Sequence, residues 1–156
     1  MKVWIIYDSF FGNTEKIANA VGNALEPQHE VRISRVSDVK PVGFQGVDLL
    51  ILGSPTRGFK PSELTQAFLA SLTAGSLKGA RVAAFDTRAD MATQKSAFFR
   101  FIGKFFRYAA QPMGAALVKA GGAQVQPPAG FYIEASEGPL RAGEMERAAA
   151  WAKTLV

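Results

Sequence analysis

The chain has 156 residues, 48% of them apolar and 20% charged, proportions that fit one folded domain with its own core and not a disordered chain. It has no cysteine and one histidine, His29, which excludes disulfides, thiol chemistry, thiolate-bound zinc or iron–sulfur clusters, and multi-histidine metal sites. Eighteen Lys and Arg against thirteen Asp and Glu leave a net charge of +5, which favours anionic partners without choosing among nucleotides, nucleic acid and acidic proteins.

Residues 3–7, Val-Trp-Ile-Ile-Tyr, form a short apolar run stopped by Asp8-Ser9. Unbroken apolarity, as opposed to alternation, predicts a strand covered on both faces. Over residues 14–25, Ile17, Ala18, Val21, Ala24 and Leu25 recur at helical spacing. Residues 30–36 alternate Val31 and Ile33 with polar side chains and slip at the end, as a strand nearer an edge would. Residues 48–53 hold Leu49-Leu50-Ile51-Leu52, another buried strand. Pro61 suits a helix start, and Leu64, Ala67, Phe68 and Leu72 follow it at helical spacing. Residues 81–86 carry Val82-Ala83-Ala84-Phe85, a fourth strand.

Residues 95 to about 110 predict an aromatic helix, with Phe98, Phe101, Ile102, Phe105 and Ala109 on a core face and Arg100, Lys104 and Arg107 on a basic one. Gly121-Gly122 break the chain before a fifth strand region, which Pro127-Pro128 split into 123–126 and 131–134. Residues 144–155 are a final helix. No run approaches the roughly 18 apolar residues of a membrane span. The apolar run after Lys2 is shorter than the about 7–15 residues of a signal core. One cytoplasmic domain over 1–156 is expected, with no interdomain linker.

Strand and helix alternating in this way predict a parallel sheet covered on both faces. In such sheets ligands bind beyond the carboxyl ends of the strands, which points to the loops after strands one, three and four. The first runs Tyr7-Asp8-Ser9-Phe10-Phe11-Gly12-Asn13-Thr14-Glu15-Lys16-Ile17-Ala18. Hydroxyls at Ser9 and Thr14, the Asn13 amide and the free N–H groups of a helix start suit a phosphate, and Gly12 allows close backbone approach. The spacing is neither that of a P-loop nor that of a dinucleotide fingerprint. Helix capping by Ser9, Asn13 or Thr14 accounts for the same residues equally well.

The strand followed by Asp8-Ser9-x-x-Gly12-Asn13-Thr14-Glu15-Lys16-Ile17-Ala18 resembles the FMN phosphate loop of the flavodoxin family, in particular the flavodoxin modules of flavo-diiron proteins and short stand-alone flavodoxins. Gly53-Ser54-Pro55-Thr56-Arg57-Gly58 resembles the family's first isoalloxazine loop and Phe85-Asp86-Thr87-Arg88 the start of its second. Glu137-Gly138-Pro139-Leu140-Arg141-Ala142-Gly143-Glu144 is similar to the approach to its last helix. The resemblance implies a flavodoxin-like three-layer α/β sandwich with a five-stranded parallel sheet of order 2-1-3-4-5.

It also implies non-covalently bound FMN and electron transfer between redox partner proteins, with no catalytic side chain and no metal. Ser9, Gly12, Asn13 and Thr14 would serve the phosphate, and Phe10 and Phe11, where many flavodoxins have a hydroxyl, would give mainly backbone N–H. Ser54, Pro55, Thr56, Arg57, Gly58 and Phe59 would line one side of the flavin, with Phe59 stacking and Gly58 a candidate for a flipping peptide. Asp86, Thr87 and Arg88 would approach the pyrimidine edge. The second loop carries no Tyr or Trp, which leaves one ring face open or lined by backbone and Met91.

Two alternatives stand beside this. One is an FMN-dependent NAD(P)H oxidoreductase acting on quinones or similar acceptors, and the other is a flavin-free binding module. Arg57 and Arg88, with Lys60 and Lys95, put positive charge where acidic flavodoxins have carboxylates. One unit charge about 8 Å away at an effective ε near 20 is worth roughly 2 kcal/mol, so a raised flavin potential and partners with acidic surfaces are expected. The aromatic helix also suits a homodimer contact, and a nucleic-acid role rests on net charge alone. His29 reads as a surface residue, Trp4 and Trp151 as packing, and Glu144 and Glu146 as an exposed helix start.

Overall fold

The computed structural model describes residues 1–40, 43–91, 95–104 and 107–156. Its strands are β1 (Lys2–Tyr7), β2 (Glu30–Arg35), β3 (Leu49–Pro55), β4 (Arg81–Ala89), β5 (Ala123–Gln124) and β6 (Ala129–Ile133). Its helices are α1 (Asn13–Leu25), α2 (Glu63–Ser71), α3 (Ala97–Gly103), α4 (Ala110–Lys119) and α5 (Glu144–Lys153), and a 3-10 turn runs over Val36–Asp38.

The sheet is parallel, in the order β2-β1-β3-β4-β5, with β6 also pairing β4. This is the expected 2-1-3-4-5 arrangement, and the fifth strand is split where Pro127-Pro128 interrupt it. β5 meets β4 at Arg81↔Ala123 and β6 resumes at Phe85↔Ala129. Proline has no N–H to give a ladder, so the pair marks the gap. In register, Ile5 sits between Ile33 and Ile51 at the centre of the sheet.

Successive strand residues face opposite sides, so each unbroken apolar run feeds two cores. Ile5, Ile51 and Phe85 pack with Ile17 and Val21 of α1 and Ala148 of α5. Ile6, Leu50, Leu52 and Val82 pack with Phe68 of α2 and with Met113 and Leu117 of α4. Trp4 is buried in the second cluster, and Trp151 meets Phe85 and Phe131 edge-on in the first.

Two expectations are corrected. The helix expected over 95–110 is shorter: α3 ends at Gly103, and Phe98 and Phe101, assigned to a core stripe, are 65% and 60% exposed. Phe105, in the same stripe, lies outside the described residues. Ala109 is buried, but it belongs to the start of α4, which supplies the core contacts. Glu144, read as exposed, is 6% exposed. Its carboxylate accepts the Tyr132 N–H and pairs with Arg147, pinning the start of α5 to β6. Burial alone would raise the Glu144 carboxyl; the hydrogen bonds from Arg147 and Tyr132 and the charges of Arg147 and Arg141 hold it below the usual glutamate range.

Candidate functional site

β1 delivers the chain to Asp8-Ser9, and α1 begins four residues later. Gly12 precedes α1 with φ +87°, in the left-handed region that favours glycine. No side chain caps α1, so its leading N–H groups stay open, as a bound anion requires. The hydroxyls and amide expected either to cap the helix or to meet a phosphate tie the loop to its neighbours. Ser9 Oγ accepts the Gly12 N–H at 3.0 Å, Asn13 Nδ2 donates to the Glu137 carbonyl at 2.9 Å, and the Thr14 and Thr87 hydroxyls are 2.8 Å apart. Gly138 is required beside Asn13, since a Cβ there would come within 2.7 Å of Nδ2.

Behind the loop, Asp8 Oδ1 accepts the Ser9 N–H, while Oδ2 is buried without a hydrogen-bond partner. Arg35 donates to the Ser9 carbonyl and pairs with Glu15, which also accepts from the Tyr7 hydroxyl. Burial, and then Glu15, push the Tyr7 hydroxyl above its ordinary pKa. Phe10 and Phe11 stand on the surface of the loop, 54% and 48% exposed.

After β3 the chain turns in a two-residue hairpin. Arg57 N–H donates to Lys60 O and Lys60 N–H to Arg57 O, at 2.9 and 3.0 Å. Gly58 and Phe59, at φ +55° and +63°, occupy the two positions that a type I′ turn holds at positive φ. Glycine accepts this freely, whereas a bulky residue does so under strain. Ser54 Oγ accepts the Ser62 N–H at 3.0 Å and closes the loop at its base, and Ser62 caps α2. The hairpin brings the Arg57 guanidinium within 5.4 Å of the Phe10 ring centre and 5.6 Å of Phe11. Ser9, Asn13, Thr14, Pro55, Thr56, Arg57 and Thr87 thereby share one narrow cleft with Phe10 and Phe11.

At the end of β4, Asp86 departs from expectation. It is fully buried, and Oδ2 accepts from Arg88 Nη2 and from the Ala110 N–H, each at 2.7 Å. Burial raises the Asp86 carboxyl above the usual range, and Arg88, the Ala110 N–H and the Thr56 hydroxyl oppose that rise. Arg88 is likewise turned inward, with its side chain 13% exposed and its guanidinium 3.8 Å from the centre of the Tyr108 ring. Neither Asp86 nor Arg88 lines the cleft. They scaffold it: the Asp86 cluster fixes the start of α4, and the Ala109 N–H donates to Thr56 Oγ1 at 3.0 Å.

The sequence shows no aromatic residue in the second loop, yet the fold brings one there. Tyr108 packs 6.2 Å, ring centre to ring centre, from Phe59. The only sequence signal was its place at the end of an aromatic run. Among the described residues, no group of His, Asp and Glu could hold a metal, and no helix is long and apolar enough to cross a membrane.

A family model for flavodoxin matches residues 5–151. Flavodoxin 1 of Bacillus cereus superposes with a TM-score of 0.78 at 19% identity, over 99% of this chain and 97% of that one. Flavodoxin 2 of the same organism does so at 0.75 and 25% identity, over 99% and 97%. The rubredoxin oxygen:oxidoreductase of Desulfovibrio gigas matches at 0.68 and 18% identity, over 99% of this chain and 35% of that one. No curated protein matches the sequence.

Proposed function

This chain belongs to the flavodoxin family, and from that premise we propose that it binds FMN without covalent attachment and passes electrons between partner proteins, with residues 1–156 working as one domain. The observation that carries the reading is the uncapped start of α1 at the carboxyl end of a central strand, beside the loops that follow β3 and β4. When bound, FMN supplies reversible electron uptake and release at its ring. The protein binds, orients and shields it.

The residues present fit that group. Open N–H groups at Phe10, Phe11, Asn13 and Thr14, with the Ser9 hydroxyl, suit the phosphate. Asn13 and Thr14 hold the loop in shape through Glu137 and Thr87. Pro55, Thr56 and the Arg57–Lys60 hairpin form one wall for the ring, with Ser54 fixing its base. Phe59 and Tyr108 supply aromatic surface at its edge. The Gly58 carbonyl sits in a turn whose glycine tolerates either backbone sign, so it can rotate toward a ring N–H. Asp86 and Arg88 act through Thr56 and Tyr108, not on the flavin directly.

Because Asp86 neutralises Arg88, any raising of the flavin potential falls to the other basic residues of these loops, Arg57, Lys60 and Lys95. The partner presents an acidic face, since Arg100, Lys104 and Arg107 are exposed on and after α3, alongside the exposed Phe98 and Phe101.

The test is the absorption spectrum of the purified protein after incubation with FMN and removal of the excess. Retained bands at about 370 and 450 nm are expected. A colourless protein that leaves FMN fluorescence unquenched would refute the reading. A second reading, oxidation of NAD(P)H, draws on the groove beside the cleft, about 460 Å³ in volume and lined by Phe10, Arg57, Lys60, Pro61, Ser62 and Leu64 among others. Stopped-flow mixing of the holoprotein with NADPH decides: bleaching of the flavin within seconds favours the enzyme, and an unchanged spectrum favours the carrier.

A further inference from the structure

We infer that Arg57, a residue of the ring loop, supplies the countercharge for the FMN phosphate and so sets the preference of this protein for FMN over riboflavin. The inference rests on the FMN reading above.

The charge inventory of the cleft leads to it. The described residues lining it are hydroxyl, amide or apolar apart from Arg57, which among them is ionised. Several donors near the phosphate position are already committed: the Asn13 amide to Glu137, the Gly12 N–H to Ser9 Oγ, and the Thr14 hydroxyl to Thr87. Asp8, buried at the foot of the loop with Oδ2 unpartnered, supplies no countercharge. Arg35, the other guanidinium at the loop, is held from behind by Glu15 and the Ser9 carbonyl and does not line the cleft. The cation left to balance a phosphate there is Arg57.

Its posture suits the task. The Arg57 guanidinium carbon lies over the Phe10 and Phe11 rings, 5.4 and 5.6 Å from their centres, a cation–π contact that holds the group at the phosphate loop. A guanidinium offers a fork of N–H donors that matches two phosphate oxygens. The two aromatic residues that give the loop no hydroxyl thus hold a stronger donor in its place. Specificity then comes from two loops at once, because the hairpin after β3 must lie over the phosphate loop for the contact to form.

The experiment measures FMN and riboflavin affinities by fluorescence quenching for wild type, Arg57→Met and Arg57→Lys, at low and high salt. Charge-assisted hydrogen bonds of this kind predict a loss of about 10- to 100-fold in FMN affinity for Arg57→Met, with a much smaller loss in riboflavin affinity. Arg57→Lys should restore part of the FMN preference. Salt should weaken FMN binding to wild type more than to Arg57→Met. Equal losses for both flavins would overturn the inference, because Arg57 would then act on the ring or on the loop fold. No loss for either would overturn it as well. Both outcomes leave FMN binding by wild type standing. A wild-type chain that takes up neither flavin would refute the flavodoxin reading and this inference together.

Discussion

Asp86 is the residue whose removal should disturb the site most without touching the cleft. Its carboxylate is wholly buried and meets the forked guanidinium of Arg88, the Ala110 N–H and the Thr56 hydroxyl. Asp86→Ala leaves a guanidinium with 13% side-chain exposure and a helix-start N–H without their acceptor. Breaking one side of a buried pair costs about 3–5 kcal/mol, which in a chain of this size lowers the melting temperature by roughly 6–20 °C. Arg88→Met should cost less, because a carboxyl already raised by burial can take a proton and stay hydrogen-bonded to the Ala110 N–H.

The sign of the pH effect follows. A group whose folded pKa is raised contributes stability that is present below its unfolded pKa and is lost as pH rises through the folded value. Arg88→Met should therefore become less stable relative to wild type as pH rises from about 4, the unperturbed aspartate value. Urea unfolding of Asp86→Ala, Arg88→Met and the double variant checks this, and the double variant should lose less than the two singles summed. Asp86→Ala within about 1 kcal/mol of wild type, well under the cost of a broken buried pair, would refute the reasoning.

Three further outcomes are expected. Gly53→Ala puts a Cβ into the Phe85 ring at the centre of the sheet and should cost about 1–3 kcal/mol or more by urea unfolding, with Phe85→Leu relieving part of it. Glu144, held below the usual glutamate range, contributes stability that is present above its unfolded pKa and lost as pH falls through the lower folded value. Glu144→Gln should therefore narrow the gap between melting temperatures at neutral pH and at about pH 3, a window below the ordinary glutamate value near 4.3. Lys60→Met should lower the midpoint potential of the bound flavin by some tens of millivolts in a redox titration, the order of magnitude set by one unit charge at an effective ε of about 20.

The sheet was legible because β1, β3 and β4 are unbroken apolar runs that only a doubly covered strand explains. α4 was not, because Pro112 and Gly114 obscure its pattern. Pro112 is tolerated in the first turn, where its missing N–H has no intrahelical acceptor. The sequence pattern implies a longer aromatic helix than the fold forms because exposed Phe98 and Phe101 repeat at the spacing of a core stripe. The loop after β1 was legible as a candidate site by its residues, but the positions of Asn13 and Thr14 depend on Glu137 and Thr87, far away along the chain. The pairing of Asp86 with Arg88 had a local sign, since residues two apart on a strand share a face. Nothing local places Tyr108 beside Phe59. That contact exists because α4 begins under Thr56.

The hydrogen bond from Asn13 to Glu137 spans 124 residues. On a ribosome adding about 5–20 residues per second, the two partners emerge on the order of ten seconds apart. Until then the loop after β1 lacks the strut that holds it, and α1 lacks the α5 face it packs against. A nascent chain is thus a poor receptor for the cofactor, however complete its first four strands. Flavin capture becomes a late event in the life of the polypeptide and reports that synthesis has passed the C-terminal segment.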